Sequence, residues 1–260
     1  MPARTMSEKA KRHAQWCLGL CLLAAASVVS AQNCILPVPF QYEFQNHVTA
    51  SLSAANATDP CALSVAVNSG AGPTAAGFLH YRRAAPITSV RYGFRVDTSA
   101  LMNFTTILRN VQLFAASSPV VSAGSPRVSH VLQIRLQGGS PGLVFTAACG
   151  NCVTPFFQAP VALTQTLNTI RFEINVGSGT NGSVRYWLNH TFSDPPDGVI
   201  DNGGAGLDNA TWVGVISAEL GLSSPSNGFR VNHAGSAIVF DQIESSDDVL
   251  FYDDFSSGAQ

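Results

Sequence analysis

Apolar and polar residues take turns along most of this chain. Phe40, Tyr42 and Phe44 alternate with Gln41, Glu43 and Gln45. Val90, Tyr92, Phe94 and Val96 alternate with Arg91, Gly93, Arg95 and Asp97. Val128, His130, Leu132, Ile134 and Leu136 share one side, with Gln133, Arg135 and Gln137 opposite. Ile170, Phe172, Ile174 and Val176 repeat the pattern against Arg171, Glu173 and Asn175, as do Val184, Tyr186, Leu188 and His190. A further apolar run, 236–244, holds Ile238, Phe240 and Ile243. Successive side chains of a β-strand point to opposite faces, so each run predicts a strand with one apolar and one polar face.

Glycine, proline, asparagine and serine cluster between the runs, at 68–73, 138–142, 177–182 and 223–228. Such residues supply turn geometry and interrupt helices. Apolar residues at helical spacing are missing, and 99–104 is the best place for a short helix. About a dozen strands at this spacing predict an all-β fold, a two-sheet antiparallel β-sandwich over 32–248.

The first 31 residues do not fit that pattern. Lys9, Lys11 and Arg12 precede an apolar run from Trp16 to Val29, and Ser30-Ala31 closes it. This order predicts a signal peptide over 1–31, cleaved after Ala31. The apolar run is too short for a stable membrane anchor, and no transmembrane segment is expected after cleavage. Of 14 Lys plus Arg, four lie in this leader; of 16 Asp plus Glu, only Glu8 does. The mature chain keeps 10 arginines, no lysine and 15 acids, a net charge of −5. Without clustered basic residues, nucleic acid is excluded as a partner. Without lysine, Schiff-base and Ser-Lys chemistry are excluded.

Four cysteines remain after cleavage, Cys34, Cys61, Cys149 and Cys152. An even count in an exported chain predicts disulfides. Three pairings are open, and proximity in sequence favours Cys34–Cys61 with Cys149–Cys152. Strand-like flanks make Cys149-Gly150-Asn151-Cys152 a clip at a two-residue hairpin turn, because a redox pair needs a helix N-terminus. Similarly, Gly138-Gly139-Ser140-Pro141-Gly142 matches the serine-hydrolase string but is followed by a strand-like run, so it reads as a turn.

In the second half, a strand Ser183–His190 containing Trp187 leads into an acidic loop. A strand Thr211 to Leu220 and a closing strand Ile238-Val239-Phe240-Asp241-Gln242-Ile243-Glu244 follow. This order, over roughly 168–245, resembles the concanavalin A-like lectin/glucanase superfamily, including laminin-G-like modules. The resemblance implies a jelly roll, a fold that hosts lectins, glycosidases and adhesion modules alike. The tail, 249–260, with Phe251-Tyr252-Asp253-Asp254-Phe255-Ser256, is similar to the "FxDGFE" ending of exported proteobacterial proteins. It departs from that ending with Asp254 for Gly and Ser256 for Glu. The tail and leader together point to a protein secreted from a Gram-negative cell or held in its periplasm or on its outer surface.

Laminarinase-like members of the superfamily place catalytic carboxylates two residues apart on one strand face. Glu173 lacks such a partner, and Asp241 and Glu244 are three apart, on opposite sides of a regular strand. Trp187, on the polar phase of its strand, and Trp212, beside the acidic loop, are the candidate sugar-binding rings. Asp194, Asp197, Asp201 and Asp208 have the ligand chemistry of a structural calcium site, the one cofactor the sequence suggests. The expected function is therefore an exported non-catalytic binding module for a glycan or another cell-surface component. A structural or adhesive envelope protein is the first alternative, and a polysaccharide hydrolase with an atypical site is the second. N-terminal sequencing of the exported protein is expected to begin at Gln32. Non-reducing peptide mapping is expected to recover Cys34 joined to Cys61; recovery of Cys34 joined to Cys149 or Cys152 would refute that pairing.

Overall fold

A computed structural model describes residues 41–45, 48–53 and 62–246, apart from 69, 73, 102–109, 120–129, 139–141, 155 and 164. The leader, Cys34, Cys61 and the tail lie outside the described residues. Strands are β1 (Gln41–Gln45), β2 (Val48–Ser53), β3 (Ala62–Val67), β4 (Ala76–Ile87), β5 (Ser89–Asp97), β6 (Asn110–Ser117) and β7 (His130–Gln137). Then come β8 (Gly142–Ala148), β9 (Phe156–Ala162), β10 (Leu167–Asn175), β11 (Ser183–Leu188), β12 (Gly198–Ile200), β13 (Val215–Ser223) and β14 (Ala237–Ser245). Among the described residues, only short helical pieces interrupt them: 3-10 turns at Ser99–Leu101 and Ala210–Trp212, and an α-helix at Asn227–Asn232. Ser226 caps that helix by accepting from the Phe229 amide at 3.2 Å.

These strands make two seven-stranded antiparallel sheets. The first runs β1-β4-β13-β6-β7-β8-β9 and the second β12-β11-β10-β5-β14-β3-β2. Non-consecutive strands lie side by side in both, so the sandwich is held by pairings distant in sequence. The predicted two-sheet class is therefore observed.

Where side chains are described, the strands turn their apolar phase inward. Leu79, Phe114, Ile134, Phe145 and Leu220 of the first sheet meet Tyr92, Phe94, Phe172, Ile174 and Phe240 of the second in one buried cluster. The rings interlock between layers: Phe114 and Phe172 meet edge to face at 4.8 Å, and Phe145 stacks on Tyr186 at 5.3 Å. Tyr92 lies in this layer, and burial pushes its phenol far above the ordinary value despite the opposing Arg83.

One local break changes which residues share a face. Gln242 adopts a φ of 49°, and the register of β14 against β5 shifts between Asp241 and Glu244. This β-bulge adds a residue and brings Asp241 and Glu244 to the same outer face, correcting the expectation for a regular strand. Asp241 then pairs with Arg95 and Glu244 with Arg171. Glu244 crosses Gly93 to reach its partner, and a methyl group at Gly93 would stand 2.6 Å from its Cγ.

Of two turns, one has the strand expected after it and one differs from expectation. Gly142 opens β8 directly, so a strand does follow the Gly-x-Ser-x-Gly string. The disulfide Cys149–Cys152 forms as expected, but its connection runs over 149–155 and is longer than a two-residue hairpin. β9 after it is the free edge of the first sheet and carries Pro160 opposite Val144.

Phe172, fully buried, touches four of the interlocking rings: Tyr92, Phe94, Phe114 and Phe145. Phe172→Ala is expected to destabilise the domain by about 3–5 kcal/mol, read as a lower urea midpoint at unchanged slope. A shift under about 1 kcal/mol would show that these rings do not hold the layers together.

Candidate functional site

Burying one face of each sheet leaves two polar outer faces, and their chemistry differs. On the second sheet, charges are matched in pairs. Arg91 Nε donates to Glu173 Oε2 at 2.6 Å, while Arg185 Nη1 and Asn175 Nδ2 reach Glu173 Oε1 at 3.3 and 3.0 Å. Burial raises the Glu173 carboxyl, but the hydrogen bonds from Asn175 and Arg91 and the nearby guanidiniums outweigh it and hold the group below its ordinary value. Arg91 also sits 5.2 Å over the Phe192 ring, which packs edge-on against Trp187. With Arg95–Asp241 and Arg171–Glu244, this face is an interlocked ion-pair lattice. A carboxylate stabilised as an anion in this way is a poor proton donor, so Glu173 does not serve as a glycosidase acid.

On the first sheet, register aligns one residue from each strand into a transverse row. His80 lies opposite Glu219, Glu219 opposite Ala115, Ala115 opposite Gln133, Gln133 opposite Thr146 and Thr146 opposite Gln158. Directly opposed side chains stand about 5 Å apart at Cβ, so His80 and Glu219 are immediate neighbours. Arg82, Ser217, Ser117 and His130 form the next row, and Ser223, Gln112 and Arg135 lie on the other side. Arg135 is oriented by bonds to Asn110 Oδ1 at 2.6 Å and the Ser224 carbonyl at 3.0 Å. Ser117 Oγ and His130 Nδ1 are 3.0 Å apart, and burial lowers the His130 pKa, favouring the neutral ring.

Much of this face is screened from solvent. Ala115, Gln112, Thr146 and Ser217 point away from the core, yet all are buried, and Ala115 is 0 % exposed. His80, Glu219, Gln133 and Arg135 remain half-buried. A base, a carboxylate, amides and guanidiniums on one sheet face can bind an acidic or hydroxylated chain and move a proton on it.

The residues singled out from sequence lie elsewhere. Trp187 does occupy the outer phase of β11, opposite Arg171, but is only 3 % exposed. Phe192 and the acidic loop cover it, and its Nε1 donates to the Asp194 carbonyl at 2.8 Å. Trp212 does not open a strand. It ends the 3-10 turn before the left-handed Val213 and is 6 % exposed within the core cluster. The exposure expected of both rings is corrected: neither presents a face to a sugar. The four aspartates work within the acidic loop. Asp194 accepts from the Thr191 amide and hydroxyl at 2.8 Å each, which together hold its carboxyl below the ordinary value. Asp197 accepts from the Leu188 amide at 2.6 Å, and Asp201 from the Gly204 amide at 2.9 Å. Asp208 meets Asn151 and Gly150 through its own backbone. Among the described residues, no group of three or more His, Cys, Asp or Glu side chains is arranged to hold a metal ion.

No family model matches the sequence, and no curated protein matches it. Solved structures do match the fold. An endo-β-1,4-glucuronan lyase from the fungus Trichoderma reesei superposes with a TM-score of 0.57 at 13 % identity, over 79 % of this chain and 89 % of that one. An alginate lyase from Aplysia kurodai gives 0.53 at 10 % identity, over 80 % and 90 %. An alginate lyase from a Chlorella virus gives 0.50 at 9 % identity, over 79 % and 92 %. The fold is a jelly roll of the concanavalin A-like class. These neighbours overturn the expectation of a non-catalytic binding module, since each is a polysaccharide-cleaving enzyme. The polysaccharide-hydrolase alternative stands closer to them. Among the described residues, no helix is long and apolar enough to cross a membrane.

Glu173 has a depressed pKa in the folded state, so its stabilising contribution is complete above the unfolded value and is lost as pH falls through the folded one. Unfolding free energy is therefore expected to decline below the ordinary glutamate range, and Glu173→Gln to flatten that decline. An unchanged acid limb in the Gln variant would show that Glu173 is not held by this lattice.

Proposed function

We propose that this protein is an exported polysaccharide-cleaving enzyme, acting on a uronate-containing polymer by β-elimination at the outer face of the first sheet. The observation that carries this reading is the row in which His80 adjoins Glu219, with Gln133 beyond, flanked by Arg82 and Arg135. β-Elimination next to a carboxylate needs three things: neutralisation of that carboxylate, a base for the adjacent carbon-bound proton, and a proton for the departing glycosidic oxygen. Arg82, two residues from His80 on the same face of β4, has the donors to neutralise the carboxylate. His80 is suited to take the proton from carbon and to pass it to the departing glycosidic oxygen as the C–O bond breaks and the carbon–carbon double bond forms, with Glu219 as its cross-strand neighbour.

Hydrolysis by paired carboxylates fits less well. That mechanism requires two acids flanking the bond, and Glu219 is the only carboxylate among the described side chains of the central rows. The fold neighbours named above add support, because two of them act on alginate and one on glucuronan. The basic–apolar–small leader supplies the route to an extracellular polymer.

Incubation with polyuronates is expected to raise the ultraviolet absorbance of unsaturated uronate ends. His80→Ala is expected to lower turnover at least about 100-fold while leaving the circular dichroism spectrum unchanged. New reducing ends without that absorbance would indicate hydrolysis and overturn the assignment, as would full activity in His80→Ala.

A further inference from the structure

The transverse row does not stop at its chemically active end. Its last member, Gln158 on the free edge strand β9, also lines a cleft of about 550 Å³. The other walls are Cys152, Val153, Thr154, Phe156, Phe157 and Asn202. Asn202 follows β12, the free edge of the second sheet, so the cleft lies where the edges of both sheets meet the disulfide turn.

The lining has a distinct composition. Phe156 and Phe157 supply flat apolar surface, while Gln158 and Asn202 supply amides that both donate and accept. Among the described residues, no charged side chain lines it. A pyranose presents C–H groups on its faces and hydroxyls around its rim, so aromatic surface ringed by neutral amides matches a sugar. The volume falls within the range of small-molecule sites.

The walls are also fixed in place. The Cys149–Cys152 disulfide closes the turn. Asn151 Nδ2 donates to the Gly206 carbonyl at 3.2 Å, and its Oδ1 accepts from the Asp208 amide at 3.0 Å. The Gly150 amide donates to the Asp208 carbonyl at 2.5 Å. These bonds tie the cysteine turn to the acidic loop and pre-form the cleft, which lowers the entropic cost of binding.

We propose that this cleft is a distal subsite holding one sugar unit of a polymer laid along the row. From His80 to Gln158 the row crosses five strand spacings, about 24 Å. For a chain held at the cleavage point, the cleft therefore adds affinity only when that chain is long enough to reach it. This placement rests on the row being the catalytic strip; the cleft's affinity for sugar does not.

Calorimetry with a size-graded series of uronate oligosaccharides tests both. Wild type is expected to gain affinity sharply once chains span the row. Phe156→Ala is expected to weaken long chains roughly tenfold, from the lost ring contact, and to leave the shortest unchanged. Because Phe156 is half-buried, Val153→Glu serves as the second variant. Val153 is fully exposed at the cleft rim, so the substitution preserves packing, and its added charge should repel long acidic chains in a salt-dependent manner. Absence of oligosaccharide binding by wild type overturns the subsite, as does equal loss for short and long chains or no loss in either variant. Length-dependent binding without bond cleavage would uphold the subsite and sink the catalytic reading. Cleavage with no length-dependent loss would do the reverse.

Discussion

Each sheet of this domain has a single apolar face, and the two can be satisfied only by closing against each other. The interlocked rings of Phe114, Phe145, Phe172 and Tyr186 are the physical form of that closure. It fixes the side-chain phase of every strand, because a one-residue slip would expose a whole apolar set. The outer faces inherit their composition from the same phase. Whatever polar residue alternates with a buried one must appear there, and its neighbours across the sheet are set by register.

The two outer faces resolve that inheritance differently. On the second sheet, arginines and acids saturate one another. Even the β14 bulge serves this end by turning Asp241 and Glu244 to one side. On the first sheet, fewer charges are spread among amides and hydroxyls, in rows set by register.

Local alternation was enough to read the class of fold, because a period of two is written into each strand by itself. It placed β5, β7, β10, β11 and β14 closely. Three things escaped it for identifiable reasons. The bulge at Gln242 depends on one left-handed residue that is not glycine. The burial of Trp187 depends on a loop that folds back through Asp194 and Phe192. The row on the first sheet joins strands β4, β13, β6 and β7, which are far apart in the chain, so no segment announces it. A fainter signal was present: Glu219 is the single charge within Val215–Ser223, an otherwise uncharged strand. A lone ionisable group at such a position is costly unless it is placed for a purpose.

Pro160 on the edge strand β9 has a consequence beyond folding. A seven-stranded sheet that ends in an open strand offers its backbone to any second copy that comes near. Proline has no amide hydrogen to give, and its ring resists the regular pairing that fibrils require. At this margin the proline guards the protein against stacking on itself.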